Sequence, residues 1–179
     1  MKYGGKHTLT FEEYHSVPER WSAKGLADQL RALGGTYDLG YSPSHGAKAH
    51  ESMWYNLSDG VRAGDDACIE IAVRFIEDRF ISSYSGFART RIARALKHVP
   101  LSRDQKARLS SHFLGLLEKG DRTEEFSEYL RLWPSVISSA NRKRALELAE
   151  RIKGGSPSFY RRLIEALTSN NALEADREA

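Results

Sequence analysis

The residues best equipped to do chemistry fall into two groups, a run of cations from position 89 to 108 and a cluster of histidines before position 51. Arg89, Arg91, Arg94 and Lys97 occupy one stretch, and Arg103, Lys106 and Arg108 follow Pro100. No Asp or Glu lies between Ser85 and Ser102. Lys and Arg so concentrated can neutralise phosphates, each contact releasing a counterion, or can face the carboxylates of an acidic protein. At about 100° per residue, Ala88, Ile92, Ala95, Leu96 and Val99 share one helical sector. Arg91, Arg94 and Lys97 fall opposite, with Arg89 at the border. The seven cations are therefore the candidate polyanion-binding residues, and nucleic acid or an acidic protein is the partner class they fit. Such contacts position a partner without reading its sequence. The same residues also fit a solvated face whose stems lie on apolar neighbours, or pairing with the acidic segments at 65–78 and 118–128.

The second group holds His7, His15, His45 and His50, four of the six histidines. His45, His50 and Glu51 stand in or beside a Gly-rich stretch, and imidazole with carboxylate ligates zinc and similar ions. Their His-x4-His-Glu spacing is not the His-Glu-x-x-His pattern. On a helix it would set the two imidazoles about 140° apart. Polar loop histidines are the plainer reading, so no metal and no cofactor is expected. The rival is an enzyme whose loop at 36–51 closes over a site using His45, His50 or Glu51.

Other motifs carry less. Gly4-Gly5-Lys6-His7-Thr8 lacks the Ser or Thr directly after Lys that a phosphate-binding loop needs, and the upstream Gly as well. Cys68 lies in an apolar helical pattern and reads as packing. Asp65-Asp66 and Glu124-Glu125 stand where helices start, which favours negative charge there. The basic block at 142–153 interleaves Glu147 with Lys143 and Arg151 at four-residue spacing, the pattern of a solubilised helix face. Leu26 to Tyr41 offers no second recognition helix. Trp54-Tyr55 and the aromatics from Phe80 to Phe87 are expected to fill the core, and Trp133-Pro134 to cap a helix junction. No aromatic-basic interleaving of the single-strand-binding kind is visible along the chain.

The elements that must position these residues are helical. The chain of 179 residues is 40% hydrophobic and 28% charged, enough for a packed core and too apolar for a wholly disordered chain. One Cys excludes an intramolecular disulfide and a Cys-rich zinc site. No apolar run reaches the length of a membrane span, and the first residues lack a signal-peptide core, so a cytoplasmic protein is expected. Net charge is only +3, but it alternates by segment, with 85–117 and 131–163 each at +6.

Residues 1–55 read as an irregular region with one or two helices, and 34–49 as a long functional or mobile loop. Residues 56–168 read as a helical domain, and 169–179 as a polar tail. Ala67 to Phe80 is apolar on two faces, as a central helix must be. Ser102-Arg103-Asp104-Gln105 has capping-box spacing. About six helices with short loops point to an all-α stack or bundle. Ala95–Leu109 resembles Ala149–Leu163 at a 54-residue offset, which would fit a short HEAT-like solenoid. The function expected is a non-enzymatic binding module. Besides the His/Glu enzyme, a protein–protein adaptor or homo-oligomer held by apolar helix faces is the remaining alternative.

Overall fold

A computed structural model describes residues 17–42, 47–78, 85–120, 125–152 and 157–169. Among them all regular structure is helical, and the protein is all-α and built of packed helices, as the periodicity predicts. The chain divides into two compact units, Met1–Pro100 and Leu101–Ala179.

The first unit contains a 3₁₀ turn, Glu19–Trp21, and four helices: α1 (Ala23–Ala32), α2 (Ala47–Arg62), α3 (Asp66–Glu77) and α4 (Ser85–Leu96). Ser22 starts α1, its hydroxyl accepting the Gly25 N–H at 3.1 Å. Gly34 ends α1 at φ 72°, which lets the Gly35 N–H reach back to the Leu30 carbonyl at 2.9 Å. Asp65 caps α3 by accepting the Cys68 N–H at 2.8 Å, which explains one of the two carboxylate pairs as structural.

Helix α3 is central in its unit, as its two apolar faces predict. Ala67, Cys68, Ile69, Ile71, Ala72, Val73, Phe75 and Ile76 are all buried, and α1, α2 and α4 pack around it. Trp21, Trp54 and Phe75 form an aromatic knot, with Phe75 4.0 Å from Trp54 and 4.9 Å from Trp21 between ring centroids. Each such side chain removed from water contributes roughly 1.5–3 kcal/mol before entropy is counted. Gly60 lets α2 approach α3 and the preceding loop. A Cβ there would lie 2.5 Å from Cys68 Sγ and 2.9 Å from the Tyr37 ring.

Two expectations for this region need correcting. The boundary drawn near residue 56 falls inside α2, because Trp21, Leu26, Leu30 and Leu39 are buried side chains of the same unit as 53–96. The long loop is shorter and more anchored than expected. Residues 47–51 already belong to α2, Leu39 is buried, and Asn56 Nδ2 donates to the Leu39 carbonyl at 3.0 Å.

The second unit contains α5 (Arg103–Glu118), α6 (Phe126–Leu132), a 3₁₀ turn at Trp133–Ser135, α7 (Ser139–Ile152) and α8 (Pro157–Thr168). The capping box forms as its spacing predicts, Gln105 N–H to Ser102 Oγ at 3.2 Å and Ser102 N–H to Gln105 Oε1 at 3.1 Å. Phe113, Phe126, Tyr129 and Trp133 form the aromatic core, Phe113 stacking on Tyr129 at 4.9 Å. Trp133-Pro134 does mark the junction between α6 and α7. Ser110 Oγ ties α5 to the start of α7, accepting from Asn141 Nδ2 at 2.9 Å and from the Ser138 N–H at 3.3 Å. The solenoid repeat defines no common module. Its first copy crosses the division at Pro100, whereas its second lies within one unit.

Candidate functional site

The seven candidate cations divide between the units. Helix α4 carries Arg89, Arg91 and Arg94, with Lys97 one residue past its end, in the first unit. Arg103, Lys106 and Arg108 lie on α5 in the second.

On α4 the burial pattern follows helical geometry. Ser85, Ala88, Arg89, Ile92, Ala93, Ala95 and Leu96 are buried against α2 and α3. Phe87, Arg94, Lys97 and His98 are exposed, with Thr90 and Arg91 half-buried between them. These last residues recur at i, i+3, i+4, i+7 and beyond, which is one stripe along the helix.

Arg89 does not belong to that stripe. It is only 6% exposed, so it is not available to a surface partner. Its Nη2 donates to the Asp78 carbonyl at 3.0 Å, and its guanidinium lies 5.2 Å from the centre of the Phe75 ring. Asp78 is the C-terminal cap of α3, so the cation sits at the negative end of that helix, where it is favoured. The Asp78 carboxylate is itself held by Arg20 and by the Trp21 indole N–H. Arg89 thus fastens the end of α3 to the aromatic knot. The sequence carried the signal: Arg89 shares a face with Ser85, Ile92, Ala93 and Leu96, all buried.

Arg91 occupies a third environment. Its guanidinium lies 4.3 Å from the centre of the Tyr55 ring on α2, a cation–π distance. Its Nη2 is 3.5 Å from Asp59 Oδ1, which Arg62 also approaches at 2.7 Å. Phe87 extends the arrangement, its ring 6.1 Å from that of Tyr55. Phe87 is 52% exposed, which corrects the expectation that it fills the core. Trp54, by contrast, is buried as expected, while Tyr55 is half-buried. Aromatic and basic groups therefore do interleave here. The alternation joins two helices, so no window of consecutive residues displays it.

On α5, Arg103 is exposed and Lys106 and Arg108 are half-buried. Arg108 approaches Asp104 at 3.4 Å one turn away, an ordinary surface pairing.

Of the alternative site, His45 lies outside the described residues. His50 and Glu51 fall on the early part of α2, with their side chains outside the description. Among the described residues no group of three or more His, Cys, Asp or Glu is arranged to hold a metal ion. Cys68 is fully buried beside its Asp65 cap, and burial pushes its thiol far above the ordinary range, followed by the Asp65 contact. A thiol so held is a packing group and a poor nucleophile. No described helix is long and apolar enough to cross a membrane.

Two buried polar groups lie on α6 and just after it. Glu128 on α6, 7% exposed, meets Arg131 at 2.9 and 3.1 Å. The Trp133 indole N–H is buried without a hydrogen-bond partner.

No family model matches this chain, and neither the curated proteins nor the solved structures contain a match. The class that fold and geometry define is an all-α protein of two helical units.

Proposed function

We propose that this protein is a non-enzymatic binding module that engages a polyanion, nucleic acid foremost, through the outward stripe of α4. The observation that carries this reading is the company Arg94 and Lys97 keep. Both are exposed, they follow Arg91 on one stripe, and no acidic residue lies between Ser85 and Ser102. Asp59, contributed by α2, is set against two arginines, Arg62 and Arg91, so this one acid does not cancel their charge. Cations so placed hold a phosphate chain by charge and release its counterions. Arg89 is excluded from the footprint, and Arg103, Lys106 and Arg108 are left out of it as residues of the other unit.

The test is fluorescence anisotropy with labelled single-stranded DNA, duplex DNA and RNA at 50 and 200 mM salt. Three cations on a single strand give a log–log salt slope of about −2, or an affinity loss of about 20-fold over that range. Arg94→Glu with Lys97→Glu should abolish the binding while the helical circular dichroism stays unchanged. Absence of wild-type binding at 50 mM salt, or binding that survives the double reversal, overturns the reading. An acidic protein is the second partner class, and retention on poly-glutamate without retention on any nucleic acid would select it.

A further inference from the structure

Resting on that reading, we infer that the ligand is single-stranded nucleic acid, and that an unpaired base stacks on Phe87 while the following phosphates run along Arg91, Arg94 and Lys97. The argument starts from an exposed aromatic ring in an unusual place. Phe87 and Leu33 are the large hydrophobic side chains recorded as exposed among the described residues, and Phe87 is much the more open, at 52% against 36%. A single exposed apolar side chain is ordinary, whereas one joined to further aromatic and cationic groups marks a contact surface. Phe87 is not a stray residue on a polar face. Tyr55 lies 6.1 Å away between ring centroids, and Arg91 is stacked on that tyrosine at 4.3 Å. The ring is thus the first member of a row that goes from flat and apolar to flat and charged, then to the cations of Arg94 and Lys97.

That row matches the chemistry of an unpaired nucleotide strand. Every base has a π-face, and stacking on aromatic side chains is how single strands are held without sequence preference. A guanidinium plane supplies a further stacking surface while carrying charge. From Phe87 to Lys97 the helix rises about 15 Å, room for about four nucleotides at the stacked spacing of about 3.4 Å per strand. A duplex keeps its bases stacked inside and offers Phe87 no face to cover. An acidic peptide would use the cations but has no defined flat group for the ring. The observations therefore favour the single strand over both.

The experiment compares the full-length chain with Phe87→Ala and Phe87→Trp, using a labelled 12-nucleotide poly-dT, the matching duplex and poly-glutamate, each at 50 and 200 mM salt. Phe87 is exposed, so neither substitution threatens folding, and circular dichroism confirms this. The expected result is that Phe87→Ala weakens poly-dT binding about tenfold or more, that Phe87→Trp restores it, and that the salt slope is the same in all three. An unchanged slope separates loss of stacking from loss of phosphate contacts. Equal poly-dT affinity for wild type and Phe87→Ala overturns the inference while leaving the polyanion reading intact. Duplex or poly-glutamate bound as tightly as poly-dT does the same. If the wild type binds none of the three at 50 mM salt, both fall together.

Discussion

Helices α4 and α7 belong to segments of equal net charge, yet they deploy their cations in different ways. In α4 each arginine has a different environment. Arg89 is buried at the end of α3, Arg91 lies against Tyr55, and Arg94 faces outward with Lys97 beyond it. In α7, Arg144 is a surface group with acids within reach. Arg144 meets Glu118 of α5 at 3.1 Å and Glu147 of its own helix at 3.6 Å. Net charge over a segment therefore says little about what its cations do. Two local features decide it: whether an acid stands three or four residues away, and whether the position falls on the face turned to the core.

The largest test of that contrast is Arg89→Ala. It removes a buried stem and leaves the Asp78 carbonyl without a donor, so unfolding by urea should show a loss of about 2–3 kcal/mol. A loss below about 0.5 kcal/mol would erase the distinction between Arg89 and its exposed neighbours. Next comes binding. Arg94→Glu with Lys97→Glu should abolish single-strand binding, whereas Arg144→Glu with Arg151→Glu should change the affinity less than about threefold. Similar losses from the two pairs would mean that α4 has no privileged role. Arg91→Ala removes one cation–π contact, and its stability cost should be about 0.5–1 kcal/mol, measured with the same urea titration. The smallest effect belongs to Arg144→Ala, whose partners are solvent-exposed and whose contribution should stay within about 0–0.5 kcal/mol and shrink further in 1 M salt.

Much of the helical architecture was legible because it rests on local rules. Ser102 and Gln105 form their capping box, Gly34 ends α1 in a left-handed conformation, and the two apolar faces of α3 place it at the centre. What escaped reading depended on contacts distant in sequence. The polar composition before residue 56 suggested a separate region, but Leu39 and Trp21 are buried with helices that follow much later. Charge type alone puts Arg89, at the border of the apolar sector, among the candidate cations, although the positions three, four and seven residues on are apolar and buried. Residue type alone places Phe87 in the core, yet it is exposed. Its neighbour Tyr55 comes from α2, so the aromatic–basic row exists only once α2 and α4 are side by side. The histidine alternative gained no ground from the described residues, since none of its three side chains is among them.

The three tryptophans are divided between the two units. Trp21 and Trp54 lie in the first unit, and the Trp21 indole N–H is hydrogen-bonded to Asp78. Trp133 lies in the second, fully enclosed, with its indole N–H unpartnered. An indole enclosed among apolar groups cannot relax its excited-state dipole by reorienting water, so its emission stays toward the blue until that enclosure opens. With Trp21 and Trp54 replaced by Phe, the remaining fluorescence would report on the second unit alone. The chain thus carries its own built-in probe for asking whether its two halves melt together.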